Sequence, residues 1–174
     1  MDQVVVISPE DELYPQERLT VWFPTLLTLH TLGNLGLLRL PLTALFCARE
    51  CPGDAMLKAY DLAHELRQKE TPVIGGFHTL MEKDVLEILL KGKGLVVICP
   101  ARGLEGIRLS IGWNQTMQQG RFLLVSMFDQ EIRRVTKETL HQRNLLVAGL
   151  ANEHVFIHIQ PGGETEKVSG PFSR

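Results

Sequence analysis

From residue 42 onward the chain alternates between short, mostly apolar segments and longer amphipathic ones. The apolar segments, each predicted to form a β-strand, occupy residues 42–47, 73–74, 94–99, 121–126 and 154–159. Between them, apolar residues recur with helical spacing, most clearly at 55–69 and 79–91. Strands that are apolar throughout and connected by helices form parallel sheets buried on both faces. The sequence therefore predicts an α/β fold: a doubly wound, mostly parallel, Rossmann-like sheet with helices on both faces.

The alternation does not extend to the first 41 residues, which mix apolar residues with prolines and glycines and have no regular period. At 174 residues the chain has the size of one domain with a sizeable core. We therefore expect residues 1–41 to form an irregular lead-in that packs on a main domain at 42–174. Doubly wound domains usually continue beyond a fifth strand, so the sequence predicts either a short sheet or a domain truncated at its C-terminus.

Charge and cysteine content restrict the environment and the partners. The 18 Lys and Arg residues against 20 Asp and Glu residues give a net charge of −2, so nucleic acid would need a local basic patch. Three cysteines without a disulfide-scaffold pattern favour a reducing compartment, and we expect a cytoplasmic protein. We find neither a signal-peptide pattern nor an apolar run of the roughly 18–20 residues of a membrane span, so no membrane partner is expected.

The most informative turn follows the second predicted strand. This strand ends at Gly75 and Gly76, and Thr79 with Glu82 three residues later has the pattern of a helix capping box. A strand that ends at two glycines before a helix leaves backbone N–H groups free to bind a phosphate. The same glycines also suit a tight turn with a purely structural role. Because the carboxyl ends of parallel strands meet at one sheet edge, loops after the other strands can join this site.

The predicted phosphate site combines this turn with two further loops. Arg49 follows the first strand, where it can contact a phosphate or pair with a neighbouring acid, and a second glycine turn follows the fifth strand. The predicted ligand-facing residues are Arg49, Gly75, Gly76, Phe77, His78, Gly162, Gly163 and Thr165. The absence of G-x-G-x-x-G disfavours NAD. We identify no cofactor, no metal ligand set and no catalytic set, which favours a non-catalytic role and leaves hydrolysis open.

A cationic segment follows the fourth predicted strand. Arg133, Lys137 and His141 share one face of the helix predicted at 130–150, and Arg134 and Arg143 lie beside that face. Such a segment either contacts the phosphates of a nucleic acid or is a solvated helix face. The residues leave both interpretations open.

Several segments together resemble the DNA-processing protein A (DprA/Smf) family. The segments L-G-N-L-G-L-L at 32–38 and L-F-C-A-R at 45–49 resemble the lead-in and first strand of that family. The segment V-I-G-G-F-H-T-L-M-E-K at 73–83 stands where the family has its glycine turn. The segment Q-R-N-L-L-V-A-G-L-A-N at 142–152, followed by a strand and P-G-G-E-T, is similar to the family's R-N-R-x-I-A-G-L-S segment and terminal turn.

This resemblance implies an extended Rossmann fold, assembly into homodimers and non-catalytic binding of single-stranded DNA during DNA uptake, with hand-over to a recombinase. Carried over by position, Arg49 and the turn at 75–78 would line a positive pocket flanked by Arg143 and Asn144. With the cationic segment included, the predicted nucleic-acid-binding residues are Arg134, Lys137, Arg143 and Asn144.

The sequence also resembles the wider SLOG superfamily, which includes the LOG cytokinin-activating phosphoribohydrolases and nucleotide-sensing domains. Gly75-Gly76, followed by L-M at 80–81, resembles the glycine turn of that superfamily. The segment P-G-G-E-T at 161–165 resembles its P-G-G-x-G-T signature with one residue missing. The alternative prediction is therefore a mononucleotide-binding sensor or a LOG-like nucleotide phosphoribohydrolase. The two hypotheses differ in the size of the ligand, a polymer or a mononucleotide.

Overall fold

A computed structural model describes residues 3–172 of the chain, and these residues form a seven-stranded sheet. The strands are β1 (Val5–Ile7), β2 (Leu29–Gly33), β3 (Thr43–Cys47), β4 (Val73–Gly75), β5 (Val96–Ile98), β6 (Phe122–Ser126) and β7 (Glu153–His158). Their order across the sheet is β1-β2-β6-β5-β4-β3-β7. Strands β3 to β7 are parallel, whereas β1 and β2 pair antiparallel. The predicted doubly wound, mostly parallel α/β sheet is confirmed.

Helices cover both faces of this sheet. In the described range they are α1 (Gln16–Leu19), α2 (Gly53–Gln68), α3 (Leu80–Leu90), α4 (Ile111–Gln118), α5 (Lys137–Leu150) and α6 (Glu164–Ser169), with 3₁₀ helices at Leu35–Arg39 and Gly170–Phe172. Successive strand residues point to opposite faces. Leu45 therefore packs in one core with α2, α3 and α4, while its neighbours Ala44 and Phe46 pack in the other core with α5. No helix within residues 3–172 is long and apolar enough to cross a membrane.

The residues before position 42 extend the sheet. Strand β2 pairs with β6, with Thr31 opposite Val125, and β1 pairs with the outer side of β2. The sequence predicted an irregular lead-in and did not indicate β2, because residues 22–40 contain Pro24 and two glycines without clear alternation. The division of the chain at residue 41 stays a prediction. Residues 1–2 of the predicted lead-in and residues 173–174 of the predicted main domain lie outside the described range. The C-terminal truncation also stays a prediction.

The helix predicted at 130–150 begins later than expected. Helix α5 starts at Lys137 because Thr136 and Thr139 form a capping box there. The preceding loop is tied to the loop after β5, since the Gly103 N–H donates to the Ile132 carbonyl at 2.8 Å. Arg133 and Arg134 therefore lie in a loop. The prediction that Arg133, Lys137 and His141 share one helical face is therefore wrong.

The strand order places a crevice at the carboxyl edge of the sheet. Strands β3, β4, β5 and β6 follow one another in one direction, and β7 lies on the other side of β3. The order thus reverses between β3 and β7, and ligands of doubly wound sheets bind outside the carboxyl ends of the strands at such a point.

Candidate functional site

Arg49 lies at the carboxyl end of β3, beside the point where the strand order reverses. Its side chain is exposed, and within residues 3–172 its guanidinium has no ion pair and no hydrogen bond. Across the crevice, Gln160 after β7 donates to Glu50 Oε2 at 3.2 Å and connects the two loops. Arg49 is therefore available to an anion in the crevice.

Helix α2 begins in the same loop as Arg49. Its N-cap residue is Pro52, and no side chain of the described residues caps this 16-residue helix. The first N–H groups of a helix have no partner inside the helix, and the helix dipole favours negative charge there. Asp54 in the first turn offsets part of this field. The β3–α2 loop thus combines an uncommitted cation with an uncapped helix end.

The glycine turn after β4 contains an internal anion, the buried carboxylate of Glu82. Glu82 Oε2 accepts the N–H groups of His78 at 3.0 Å and Thr79 at 3.3 Å, and Thr79 Oγ1 accepts the Glu82 N–H at 3.2 Å. The predicted capping box is confirmed. The other oxygen, Oε1, accepts the Cys47 N–H at the end of β3 at 3.0 Å. This carboxylate therefore occupies donors that the sequence left free for an external ligand.

Two donors of the glycine turn remain. Within the described chain, the N–H groups of Gly76 and Phe77 have no hydrogen-bond acceptor. The Phe77 backbone adopts φ +48°, and the residue as a whole is buried, with 5 % exposure. The ring also lies close under the preceding turn, because a Cβ on Gly75 would be 3.0 Å from it. Of Phe77, the backbone N–H and not the packed ring is therefore the group that could bind a ligand at the turn.

A buried arginine supports the turn from below. The Arg143 guanidinium donates to the Cys99 carbonyl at 3.0 Å and to Asn144 Oδ1 at 2.9 Å, and its Nη2 lies 2.9 Å from His78 Nδ1. A Cβ on Gly76 would lie 2.1 Å from Arg143 Nη1. The close approach that requires glycine at position 76 is therefore made by Arg143, which is 1 % exposed, and the adjacent Asn144 is buried as well.

Glu82, His78 and Arg143 form one electrostatic cluster. Burial raises the pKa of the Glu82 carboxyl, but the hydrogen bond and charge of His78, the Cys47 N–H and the charge of Arg143 outweigh burial and lower that pKa overall. His78 Nδ1 lies 3.2 Å from Glu82 Oε2 as well as near Arg143. A proton on Nδ1 is donated to Glu82, whereas a neutral ring protonated on Nε2 accepts from Arg143. The buried carboxylate of Glu82 and the buried guanidinium of Arg143 therefore stabilise each other's charge beneath the turn.

The second glycine turn is satisfied by its own chain. Gly162 has φ +72°, and its N–H donates to Glu166 Oε2 at 2.7 Å. The Gly163 N–H donates to the Gln160 carbonyl at 3.0 Å, and buried Thr165 accepts the Gln160 N–H through Oγ1 at 3.3 Å. These residues lie at the predicted edge, yet in this conformation the N–H groups of Gly162 and Gly163 are already bonded.

The loops after β5 and β6 contribute further cations. Arg134 and Lys137 are exposed, as predicted for a solvated or nucleic-acid-facing segment. Arg102 after β5 was not among the predicted site residues. It is half-buried, and its guanidinium has no ion pair or hydrogen bond within residues 3–172. The signal was present in the sequence, because C-P-A-R at 99–102 ends its strand as C-A-R at 47–49 does.

Within residues 3–172 this edge carries neither a metal ligand set nor a buried thiol in its reactive, ionised form. In the described part of the chain, no group of three or more His, Cys, Asp or Glu side chains could hold a metal ion. Cys47 and Cys99 are buried, and burial raises the pKa of each thiol to about 12, so neither is a thiolate near neutral pH. What the edge can do is bind anions, through Arg49, Arg102, the Gly76 and Phe77 N–H groups and the end of α2.

The fold defines a class: doubly wound, Rossmann-like domains, in which ligand sites lie at the carboxyl ends of the strands. Within that class the family is specific. The model of the DNA recombination-mediator protein A family matches residues 5–163, and the chain belongs to this family.

Two solved structures have a similar fold. The chain resembles DNA processing protein A (DprA) from Streptococcus pneumoniae with a TM-score of 0.70 and 18% identity, over 88% of this chain and 54% of that one. It resembles DNA processing protein A from Helicobacter pylori, described in a structure of its single-stranded DNA binding mode, with a TM-score of 0.68 and 15% identity, over 99% of this chain and 80% of that one. The chain therefore spans about half the length of the streptococcal protein. No curated protein sequence matches the chain significantly.

Proposed function

We propose that this chain binds single-stranded DNA, without catalysis, through phosphate contacts at the carboxyl edge of its sheet, and that it acts in DNA uptake and processing in the cytoplasm. Family membership and the likeness to a DprA with a described single-stranded DNA binding mode support the class of ligand. The observation that carries the proposal is the pair of arginines, Arg49 and Arg102, whose guanidinium groups have no partner within residues 3–172. They lie at the same edge as two backbone N–H groups that have no acceptor in that range. Such donors recognise phosphate oxygens irrespective of base sequence.

The residues of the site divide by burial into two roles. Arg49, Arg102 and the Gly76–Phe77 backbone contact phosphates, and exposed Arg134 and Lys137 extend the basic surface. Arg143 and Asn144 are buried, so in this proposal they position the turn and do not touch DNA. The resemblance also predicts a homodimer and a recombinase that receives the strand, and both stay predictions.

Binding of a labelled single-stranded oligonucleotide, followed by fluorescence anisotropy at two salt concentrations, tests the proposal. We expect binding that weakens as salt rises, because phosphate contacts release counterions. Arg49→Ala and Arg102→Ala should each weaken binding by roughly 1.5–3 kcal/mol, the range for hydrogen bonds to charged groups. Lys93→Ala is the matched control, since Lys93 is exposed in the turn between α3 and β5, at the opposite edge of the sheet.

Absence of oligonucleotide binding at low salt would reject the proposal. Binding of a mononucleotide under the same conditions, detected as a thermal shift, would instead support the alternative of a nucleotide sensor or phosphoribohydrolase. Equal affinities of the Arg49, Arg102 and Lys93 variants for the oligonucleotide would move the binding surface away from this edge.

A further inference from the structure

A cleft of about 670 Å³ separates α3 from α4, outside the crevice at the carboxyl edge. Its walls are mostly apolar and include Phe77, Leu86, Leu90 and Trp113. Helix α4 presents small residues to the cleft, Ser110 and Gly112, and a Cβ added to Gly112 would meet nothing within 4 Å. Small residues at these two positions therefore leave the space between α3 and α4 unfilled, since neither position carries a large apolar side chain.

An aromatic side chain with a fixed position lines this cleft. The Trp113 ring packs against Phe122 of β6 with ring centroids 5.3 Å apart, so the strand beneath orients the indole. The side chain is nevertheless only half-buried and borders the open space. A partly exposed aromatic ring of this kind is a stacking surface for a planar, apolar group, and nucleobases of any sequence stack on such rings.

The charges around the cleft suit a ligand with phosphates. Lys83 and Lys91 line it, both are exposed, and within residues 3–172 neither ammonium group has an ion pair. Glu87 is the one acidic residue among the lining residues. The two lysines are about 12 Å apart along α3, at about 1.5 Å per helical residue. A nucleobase bound in the cleft would therefore have a lysine ammonium group near the DNA backbone on each side of it.

Phe77 connects the cleft to the crevice. Within residues 3–172 its N–H is one of the two donors of the glycine turn that have no acceptor, and the residue also lines the cleft. The left-handed backbone at this residue, φ +48°, is uncommon for a bulky side chain, and such strained backbones cluster at ligand sites. A strand held by phosphate contacts at the turn can thus continue directly into the space between the helices.

We infer that the α3–α4 cleft binds a nucleobase of the DNA strand, stacked on Trp113 and flanked by Lys83 and Lys91. This inference rests on the proposed function, and it adds a base-binding subsite beyond the phosphate contacts of the carboxyl edge. It predicts that the chain distinguishes a strand with bases from the same backbone without them.

Tryptophan emission measures this contact directly, because the chain has two tryptophans and the other can be removed. Trp22 packs against Phe172 of the C-terminal 3₁₀ helix, with ring centroids 5.5 Å apart. The substitution Trp22→Phe therefore leaves Trp113 as the single tryptophan emitter. We would titrate this variant with an oligodeoxythymidine and with an abasic oligonucleotide of the same length, following tryptophan emission and anisotropy together. The thymidine strand should quench Trp113 at the concentration at which it binds, and the abasic strand should bind more weakly without quenching.

A second variant separates stacking from folding. Trp113→Leu keeps an apolar side chain against Phe122 but removes the stacking surface, and it should bind oligodeoxythymidine roughly 5- to 150-fold more weakly, the range for one stacked base. Its affinity for the abasic strand should stay unchanged, which also shows that the variant is folded. Oligonucleotide binding without any change in Trp113 emission, or with wild-type affinity in Trp113→Leu, would overturn the inference alone. Failure of every oligonucleotide to bind would overturn the proposed function with it.

Discussion

At the scale of single residues, Gly76 is the position where backbone and buried charge depend most directly on each other. A Cβ there would lie 2.1 Å from Nη1 and 2.2 Å from Cζ of Arg143. The guanidinium is held by hydrogen bonds to Cys99 and Asn144, and its Nη2 lies 2.9 Å from His78 Nδ1. We expect Gly76→Ala to displace Arg143 and to lower the free energy of unfolding by about 1–3 kcal/mol, the usual cost of overpacking. Urea denaturation at neutral pH measures this loss.

Gly112→Ala is the matched control for this substitution. Gly112 lies inside α4, and a Cβ there meets no atom within 4 Å. Alanine should therefore leave stability unchanged or raise it by about 0.5–1 kcal/mol, through helix propensity. If Gly76→Ala were as stable as Gly112→Ala, Arg143 would have to be mobile, and its role beneath the turn would be rejected.

The burial of Arg143 shows what residue patterns do and do not reveal. From the sequence, Arg143 was predicted to face a ligand, since it follows the R-N pattern of the family. In the structure Arg143 shares the buried face of α5 with Leu146, Val147 and Leu150. That spacing of three, four and seven residues is present in the sequence, and it indicates that Arg143 occupies a core position. The compensating partners were not readable, because His78 and Glu82 reach Arg143 only through the packing of α3 against β3 and β4.

At the scale of elements, the N-terminus of α3 makes stability depend on pH. The folded protein lowers the pKa of Glu82 below its usual value of 4.5, despite burial, through His78, the Cys47 N–H and Arg143. Because the native pKa is depressed, the ionised carboxylate stabilises the fold fully above pH 4.5. This contribution is lost as the pH falls from 4.5 through the lower native pKa.

Glu82→Gln tests this dependence. Gln lacks the charge that the surrounding donors and Arg143 stabilise, so we expect a loss of roughly 1.5–3 kcal/mol at pH 7, the range for hydrogen bonds to charged groups. The difference from the wild type should shrink as the pH falls below 4.5, which urea denaturation at several pH values can follow. Glu87→Gln, an exposed position on the same helix, should show no such trend. A difference between Glu82→Gln and wild type that is constant with pH would contradict the assignment.

Elements with strong local signals were predictable, and elements defined by distant partners were not. Strands β3 to β7 and helices α2 and α3 follow from apolar runs, helical spacing and the Thr79 cap, all of which are local. Strand β2 exists because its residues pair with β6, about 90 positions later in the chain, and no local pattern encodes that pairing. The late start of α5 likewise follows from the Thr136 capping box, which outweighs the helical spacing of the residues before it.

At the scale of the whole molecule, charge is organised by the sheet and not by composition. The net charge of −2 excludes a general basic field, yet Arg49, Arg102 and Arg134 follow three parallel strands and so lie at the same edge. Acidic residues at that edge are partly occupied by the protein itself, as Glu82 caps α3 and Glu166 binds the Gly162 N–H. A protein with a weakly negative total charge can therefore still present uncommitted cations to a phosphate backbone.

The first 41 residues complete the core of the whole molecule, which predicts the result of deleting them. Four leucines from this region are almost fully buried in the core that includes α5: Leu19, Leu29, Leu37 and Leu38. At about 1.5–3 kcal/mol for each buried leucine, their removal costs about 6–12 kcal/mol, which is comparable to the whole stability of a domain. The deletion would also expose the edge of β6, whose unpaired N–H and C=O groups could pair with another chain and promote aggregation. We therefore expect the fragment 42–174 to lose cooperative thermal unfolding and to aggregate, as circular dichroism and size-exclusion chromatography would show. A monomeric fragment that unfolds cooperatively at the wild-type temperature would instead show that the sheet can end at β6 and that residues 1–41 are dispensable for the fold.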